Sequence, residues 1–272
     1  MEEKLELLRS LIRDCKRAAV AFSAGVDSTF LLKVASEVLG DDCLALTAVS
    51  PAFPKEETEE AVRFCSDNRI RQITFEAGEL GLREYSENPV NRCYYCKRQI
   101  FKRMLELASE NGICVVMEGS NIDDLSDYRP GLSALKELKI KSPLREAGLT
   151  KTEIRELSKG MGLKTWDKQS FACLASRIPY GEEITAEKLL RIGSCERVLS
   201  EAGFKNYRVR AHGTLARIEV LPEELERLVK PDIREDIVRR LKENGFTYVT
   251  MDLSGYRTGS LNEAVRRKGS LP

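Results

Sequence analysis

Through the first two thirds of the chain, short apolar runs alternate with segments whose hydrophobic residues recur at helical spacing. The runs are bounded by polar turn residues and predict buried strands. Strands that alternate with helices are typical of a parallel sheet covered on both faces. Thr150, followed three residues later by Glu153, predicts a capping box at the start of one helix. The predicted strands cover residues 18–22, 43–50, 70–77 and 114–120, and the predicted helices cover residues 28–39, 56–66, 94–110 and 150–160, with a long polar loop over 78–92.

The N-terminal segment places Leu5, Leu8 and Leu11 at helical spacing between charged residues. A secretory signal has an uninterrupted apolar run instead. No stretch of the chain approaches the ~20 apolar residues that span a bilayer. We therefore expect an amphipathic helix at the start of a cytoplasmic protein without a membrane partner.

The pattern changes after about residue 180, where alternating strands follow one another around a His-Gly-Thr turn. The elements predicted there are helices over 185–202, 222–229 and 231–244 and strands over 207–213, 214–221 and 246–253. We therefore expect an α/β domain over residues 1–180 and a small α+β domain with an antiparallel sheet over residues 181–272.

A Ser-Ala-Gly-Val-Asp-Ser segment, residues 23–28, lies between the first predicted strand and its helix. In such sheets, ligands bind beyond the carboxyl ends of the strands. Gly25 allows close approach of a ligand to the backbone. Backbone N–H groups, the hydroxyls of Ser23 and Ser28 and the positive helix end would form an anion cradle. The segment lacks the Gly-Lys-Ser/Thr ending of a Walker loop, and an Asp-Ser N-cap on an ordinary turn is the alternative.

This loop resembles the SGGxDS loop of PP-loop ATP pyrophosphatases, which include GMP synthetase, NAD synthetase and several tRNA thiolases. The resemblance implies a Rossmann-like sheet of the adenine nucleotide alpha hydrolase type. It also implies that ATP is split to AMP and pyrophosphate, with the phosphates bound by Ser23, Gly25, Val26 and Ser28. Asp27 would then help to hold Mg²⁺. Alanine stands at position 24, where the family usually has glycine.

A second polar segment, residues 118–124, follows the fourth predicted strand. It resembles the GTNxDD segment of the same family, and the resemblance implies that Gly119, Asn121 and Asp124 border the nucleotide. From topology alone, we expect the loop after the second strand, residues 47–50, near the adenine.

Eight cysteines in a chain expected to be cytoplasmic favour metal-binding or catalytic roles over disulfides. Cys93 and Cys96 are separated by two residues at the start of a predicted helix, and Cys173 lies far downstream. The other five lie among apolar or helical residues and are predicted to be ordinary buried thiols: Cys15, Cys43, Cys65, Cys114 and Cys195.

The segments NRCYYCK, residues 91–97, and SFACLASRIPYG, residues 170–181, resemble LarE-type ATP-dependent sulfur transferases, as do the flanking TWDK and RVRAHG segments. The resemblance covers nearly the whole chain. It implies that ATP adenylates a carboxylate of a pyridinium mononucleotide and that sulfur then replaces AMP, giving a thiocarboxylate for a nickel-pincer nucleotide cofactor. Adenylation supplies the good leaving group that a carboxylate lacks. A sulfide source and a homo-oligomer, with contacts from the second domain, are further implications.

Two sulfur sources occur among these transferases. In one, Cys93, Cys96 and Cys173 would hold a [4Fe–4S] cluster and leave one iron open to carry a replaceable hydrosulfide. In the other, Cys173 gives up its own sulfur. The three ligands present favour the cluster. A structural zinc with His212 as the fourth ligand is a further alternative.

Five residues are candidates for the substrate pocket. Arg208 and Arg210 alternate on a predicted strand and therefore share one face, and the planar fork of arginine suits phosphate. Arg177 lies four residues after Cys173. Ser176 and Glu196 resemble pocket positions of the same transferases. The alternative for each arginine is a solvated surface charge.

The charge balance bears on the class of substrate. The chain has 44 basic and 43 acidic residues and a formal net charge of +1, which does not indicate a general polyanion-binding surface. A tRNA thiolase would usually add further Cys-x-x-Cys pairs and a basic surface, so nucleic acid is not expected as a partner. A nucleotide sensor without catalysis is the other alternative, and the intact serines, aspartate and cysteines disfavour it.

Overall fold

Four strands form a parallel sheet in the computed structural model, which describes residues 1–126, 130–169, 172–257 and 261. The strands are β1 Ala18–Ala21, β2 Cys43–Val49, β3 Arg71–Glu76 and β4 Val116–Met117. Their order in the sheet is β3-β2-β1-β4, and each neighbouring pair is parallel. The predicted α/β fold class is therefore confirmed. Ser170 and Phe171 of the predicted cysteine segment lie outside the described residues.

Helices cover both faces of this sheet. They are α1 Glu2–Arg13, α2 Val26–Leu39, α3 Lys55–Asp67, α4 Arg83–Ser86, α5 Arg92–Glu110, α6 Pro130–Glu137, α7 Pro143–Glu146 and α8 Lys151–Gly160. Ala18 and Val20 of β1 pack in a core with Leu8 of α1 and Phe30 of α2, whereas Ala19 points into a second core lined by α5. Because strand side chains alternate between faces, β1 contributes to both cores. The predicted amphipathic N-terminal helix is confirmed.

The predicted capping box is also present: Thr150 accepts from the backbone of Glu153, and the Glu153 carboxylate accepts from the Thr150 backbone. The polar loop predicted over 78–92 contains a 3₁₀ turn and α4 instead. The strand predicted over 114–120 shortens to two residues: β4 pairs with β1 at two positions and, on its other side, forms a single parallel bridge from Met117 to Lys141. Helices α6 and α7 were not predicted; both begin with a proline, which is tolerated at the first helical position.

The later part of the chain forms α9 Ala186–Glu201, β5 Tyr207–His212, β6 Leu215–Val220, α10 Leu225–Leu228, α11 Pro231–Glu243 and β7 Tyr248–Met251. β5 and β6 are antiparallel, as predicted, but β6 and β7 are parallel. The expectation of a purely antiparallel sheet was therefore wrong. Its cause is the helical connection: α10 and α11 separate β6 from β7, and a helical crossover returns the chain in the same direction.

Tertiary contacts divide the chain into two units, one of residues 1–85 and 89–171 and one of residues 86–88 and 172–272. The sequence pattern had predicted a boundary at residue 180. Leu174 and Ala175 are buried in the second unit, where Leu174 lies against Gly193 of α9. None of the helices among the described residues has both the length and the apolar character needed to cross a bilayer.

Candidate active site

The phosphate-loop candidate connects β1 to α2 with its serines turned toward each other. The hydroxyl oxygens of Ser23 and Ser28 are 3.1 Å apart, and the Ser28 hydroxyl donates to the Gly25 carbonyl at 3.2 Å. Gly25 is extended and precedes Val26, the first residue of α2. A side chain at Gly25 would lie 3.4 Å from the Ser23 hydroxyl. The loop therefore presents two hydroxyls and the N-terminal N–H groups of a helix at the carboxyl edge of the sheet.

Asp27 is the acidic group of this loop, and two side chains from distant segments contact it. Asn121 donates to its Oδ1 at 3.2 Å, and the Lys151 ammonium forms an ion pair with its Oδ2. At Gly119, a Cβ would lie 3.0 Å from the Ser28 backbone nitrogen. Only glycine allows the two loops to approach this closely. The structure therefore brings together the two segments that were predicted to bind ATP.

Lys151 was not predicted as a site residue. It is the first residue of α8, and its backbone N–H donates to Asp123 at 2.8 Å. A lysine in the first turn of a helix opposes the helix dipole unless a carboxylate compensates it. That unfavourable placement was the one feature of the sequence that indicated a carboxylate partner for Lys151. The contact itself joins residues 124 positions apart.

The remaining polar groups of the 118–124 segment stabilise its conformation through hydrogen bonds. Glu118 is buried and accepts from the Ser120 backbone at 3.0 Å and from its hydroxyl at 2.7 Å, as well as from the Ser142 hydroxyl. Asp124 accepts from the Asn121 backbone at 2.9 Å. These bonds fix the turn that places Asn121 against Asp27.

The loop after β2 contains buried polar groups. The Thr47 hydroxyl donates to the Phe22 carbonyl at 3.0 Å, and the Ser50 hydroxyl donates to the buried Glu79 carboxylate. The carbonyl of Phe22 immediately precedes the phosphate loop. The expectation that residues 47–50 lie near the adenine stays a prediction.

The cysteines fall into two environments. Burial raises the pKa of Cys43, Cys65 and Cys195 to about 12, so these are the inert buried thiols that the sequence predicted. Cys114 is exposed and Cys15 is half-buried, so the prediction was wrong for Cys114 and only partly met for Cys15. Cys114 precedes β4 rather than belonging to it, which removes the burial that the longer predicted strand implied.

Cys93 is exposed and Cys96 is half-buried; both lie in the first turns of α5. Cys173 is half-buried and precedes a 3₁₀ helix over Leu174–Arg177. Within the described ranges no cysteines form a disulfide. Across those same ranges, no three His, Cys, Asp or Glu side chains gather closely enough to hold a metal ion.

In the second unit, Arg177 and Glu196 form a buried bidentate ion pair with N–O distances of 2.7 and 2.9 Å. The remaining Arg177 nitrogen donates to the Ala172 carbonyl at 2.9 Å and to the Ser176 hydroxyl at 2.7 Å. Glu196 also accepts from the Val209 backbone at 3.0 Å. The pair therefore ties the segment after Cys173 to α9 and β5.

Arg210 makes a second bidentate pair, with Glu219 of the neighbouring strand, at 3.0 and 2.9 Å. Its third nitrogen donates to the Ser176 carbonyl at 2.7 Å. Glu219 is fully buried and accepts also from Arg217 at 3.1 Å. Sequence reasoning missed Glu219, because the pairing register of β5 and β6 places it and no local motif marks it.

Arg208 differs from both. It is 7% exposed, donates to the Tyr207 carbonyl at 2.6 Å and lies 5.0 Å from the centre of the Tyr256 ring. No carboxylate in the described residues forms an ion pair with it. Burial, followed by the nearby charge of Arg177, lowers the pKa of Arg208. Because all three candidate arginines are buried, the alternative of solvated surface charges was wrong.

Known proteins resemble this chain to different extents, although no family model matches it. It is 43% identical over 267 residues to an uncharacterized protein of Synechocystis, covering 98% of this chain and 100% of that protein. It is 36% identical over 266 residues to the pyridinium-3,5-bisthiocarboxylic acid mononucleotide synthase of Lactiplantibacillus plantarum, covering 97% and 95%. It is 27% identical over 214 residues to one subunit of the glutamine-hydrolyzing GMP synthase of Methanococcus maripaludis, covering 74% and 68%.

Proposed function

We propose that this chain is an ATP-dependent sulfur transferase that acts on a carboxylated pyridinium mononucleotide, because it belongs to the pyridinium-3,5-bisthiocarboxylic acid mononucleotide synthase family. A substrate carboxylate attacks the α-phosphorus of ATP, and pyrophosphate leaves. A sulfur nucleophile then attacks the acyl carbon, AMP leaves, and a thiocarboxylate remains. The observation that carries the proposal is the meeting of Asp27, Asn121 and Lys151 beside the serine-lined loop.

The first unit would bind ATP. Ser23, Gly25, Val26 and Ser28 are proposed to hold the pyrophosphate end through hydroxyls and N–H groups. Lys151 has Asp27 as its partner among the described residues, and an ammonium has three N–H donors. Two donors can therefore reach phosphate oxygens while the third stays on Asp27. This cation would stabilise the charge that develops on the departing pyrophosphate.

A magnesium ion fits this site on the chemistry of its donors. Mg²⁺ prefers oxygen ligands and is usually held by one or two carboxylates together with substrate phosphates. Asp27 supplies such a carboxylate at the phosphate loop, and Asn121 fixes its orientation at 3.2 Å. We propose Asp27 as the protein ligand; the bound ion would neutralise phosphate charge. Gly119 and Asp124 are proposed to shape the same edge of the nucleotide site.

The second unit is proposed to bind the mononucleotide. Among the described residues of this unit, three buried guanidinium groups accompany two buried carboxylates, Glu196 and Glu219, which leaves one excess positive charge. An isolated buried charge is costly, and a bound phosphate would compensate it. Arg208, which has no carboxylate partner among the residues described, is therefore the proposed phosphate ligand. Arg177, Arg210, Ser176 and Glu196 would form the frame that orients it.

Cys93, Cys96 and Cys173 are proposed as ligands of a [4Fe–4S] cluster. The donor set fits, because thiolates hold such clusters and these three thiols are exposed or half-buried, unlike the buried thiols with a pKa of about 12. Three protein ligands would leave one iron open, so the cluster would supply transferable sulfur. Cys173 follows directly on the segment that Arg177 holds through the Ala172 carbonyl. The ion pair of Arg177 with Glu196 would thereby orient Cys173.

The proposed function is tested with purified protein, ATP and the dicarboxylated pyridinium mononucleotide. We expect AMP and pyrophosphate in equal amounts and a product in which sulfur has replaced oxygen. Asp27→Asn should keep the fold but lose AMP formation, since it removes the charge and keeps the shape. ADP and phosphate as products would contradict the PP-loop mechanism, whereas pyrophosphate release without sulfur incorporation would contradict the transferase assignment.

The sulfur source is tested by anaerobic reconstitution followed by iron and sulfide analysis. We expect about four irons per chain and their loss in Cys93→Ser, Cys96→Ser and Cys173→Ser alike. Cys114→Ser is the matched control, because Cys114 is exposed like Cys93 but lies outside the proposed ligand set. Activity lost only in Cys173→Ser, with the mass of H₂S missing from the used wild-type protein at Cys173, would establish the sacrificial mechanism instead.

We further propose that the chain forms a homo-oligomer through the second unit. β7 is an edge strand, and Tyr248 on it is 64% exposed. Leu253, two residues beyond β7, is 81% exposed. Exposed apolar groups beside an unpaired strand edge are typical of association surfaces.

A further inference from the structure

Lys168 is the last residue of the TWDK segment, and its ammonium reaches the phosphate loop. It lies 3.0 Å from the Ala24 carbonyl oxygen, 2.8 Å from Glu57 and 2.7 Å from Glu60, both on α3. The side chain is 15% exposed. An ammonium has three N–H donors, so these three acceptors use all of them. Lys168, unlike Lys151, has no donor left for a phosphate.

The carbonyl that Lys168 contacts controls a group of the phosphate loop. The Ala24 carbonyl and the Gly25 N–H belong to one planar trans peptide and point in opposite directions. A bond that fixes this carbonyl therefore also fixes the direction of the Gly25 N–H. Ala24 is fully buried and has a φ of 54°. This left-handed conformation is disfavoured for alanine, so an additional contact is needed to hold it.

Lys168 is itself held firmly. Arg155 of α8 donates to the Lys168 carbonyl at 2.7 Å and to the Trp166 carbonyl at 2.6 Å. The same helix begins with Lys151, which contacts Asp27 at the other end of the phosphate loop. One helix therefore fixes both ends of the loop, directly at Asp27 and through Lys168 at Ala24.

We propose that Lys168 is a positioning residue of the ATP site, which holds the Ala24–Gly25 peptide so that the Gly25 N–H faces the phosphates. This inference rests on the proposed ATP-dependent function. The competing explanation is purely structural: Lys168 would only join α3 to the turn before it through Glu57 and Glu60, and the phosphate loop would be indifferent to it.

Three variants separate these explanations. Lys168→Met removes every contact, whereas the double variant Glu57→Gln, Glu60→Gln removes both ion pairs but keeps the bond to Ala24. Lys33→Met is the matched control, because Lys33 is also a partly buried lysine of the first unit with a glutamate partner, Glu37. The readouts are KM for ATP, kcat for AMP formation and calorimetric binding of pyrophosphate, with a thermal melt of each variant.

We expect Lys168→Met to weaken pyrophosphate binding and raise KM for ATP about tenfold, the effect of losing a charge-assisted hydrogen bond. For the double glutamine variant and for Lys33→Met, pyrophosphate affinity and KM for ATP should both stay within about twofold of wild type. In Lys168→Met, the further change Ala24→Gly should recover part of the loss, since glycine adopts the left-handed conformation readily.

Two results would overturn the inference: unchanged pyrophosphate binding in Lys168→Met, or an equal loss in the double glutamine variant. If Lys168→Met does not fold, Lys168→Arg replaces it; a guanidinium cannot match the three-way ammonium geometry, so unchanged binding there would also contradict the inference. A wild-type protein that binds pyrophosphate but forms no AMP would instead refute the proposed function and leave the Lys168 comparison intact.

Discussion

Arg208 offers a prediction in which substrate affinity falls while the stability of the fold hardly changes. It is buried, has no carboxylate partner among the described residues, and has its pKa lowered by burial and by Arg177. A residue retained in such an unfavourable state is expected to serve function rather than stability. We therefore expect Arg208→Met to lose substrate affinity while the folded protein is barely destabilised.

The magnitude follows from the contacts. A charge-assisted hydrogen bond to phosphate is worth about 1.5–3 kcal/mol, so KM for the mononucleotide should rise roughly 10- to 100-fold. Methionine keeps most of the apolar length. It loses the hydrogen bond to the Tyr207 carbonyl at 2.6 Å and the contact with Tyr256 at 5.0 Å, but it also removes an uncompensated buried charge, which offsets that loss. The free energy of unfolding should therefore change by less than about 1 kcal/mol.

Arg177→Met and Arg210→Met are the contrasting variants. They would leave Glu196 or Glu219 buried without its bidentate partner, and breaking a buried pair costs about 3–5 kcal/mol. Glu219 keeps its contact with Arg217, so the Arg210 variant should be the milder one.

The assay combines steady-state kinetics with chemical denaturation for all three variants. KM for ATP should be unaffected by Arg208→Met, and Arg208→Lys should recover only part of the mononucleotide affinity, because it keeps the charge but loses the planar fork. Wild-type KM for the mononucleotide in Arg208→Met would refute the phosphate assignment. A destabilisation as large as that of Arg177→Met would refute the argument from unpaired charge.

Three further predictions concern single features. Lys151→Met should raise KM for ATP about tenfold and lower kcat, because Asp27 would then repel the phosphates; kinetics matching wild type would exclude Lys151 from the site. The Lys4 ammonium, followed by the Thr150 backbone, lowers the pKa of Glu153 to about 2. Its charged form therefore stabilises the fold above the ordinary carboxyl pKa, and the stability difference between wild type and Glu153→Gln should be full above about pH 5 and vanish near pH 2 in denaturation curves. Tyr248→Asp should reduce the mass measured by light scattering, and an unchanged mass would exclude β7 from the oligomer contact.

Local signals predicted most of the first unit. Strands buried on both faces are continuous apolar runs, so β1 and β2 stand out from the polar segments around them. The capping box at Thr150 is likewise a local pattern and was found in full. The direction of β7 was missed, although the two intervening helices already implied a parallel return.

The candidate site was predictable only as far as its motifs are contiguous. The serines of the phosphate loop lie within six residues, and the resemblance of the chain to LarE-type transferases is confirmed by the 36% identity to the synthase. Lys151 and Glu219 have no such motif. Lys151 reaches Asp27 across 124 positions of sequence, and Glu219 meets Arg210 through strand pairing. Contacts of this kind follow from tertiary packing, which no local pattern encodes.

The partners of each buried cation separate residues that hold the protein from residues that can hold an anion. Lys168 donates all three of its N–H groups to protein oxygens, and Arg177 donates through all three nitrogens to protein acceptors. Lys168 therefore has no N–H left for a ligand, and Arg177 is fixed in place at all three nitrogens, so both residues are suited to positioning. Within the part of the chain that the structure describes, Lys151 keeps two donors and Arg208 keeps an uncompensated charge. The two anions of the proposed reaction, the polyphosphate of ATP and the phosphate of the mononucleotide, match these two residues, one in each unit. A charge-neutral variant at Lys151 should therefore raise KM for ATP and leave KM for the mononucleotide unchanged, and one at Arg208 should do the reverse.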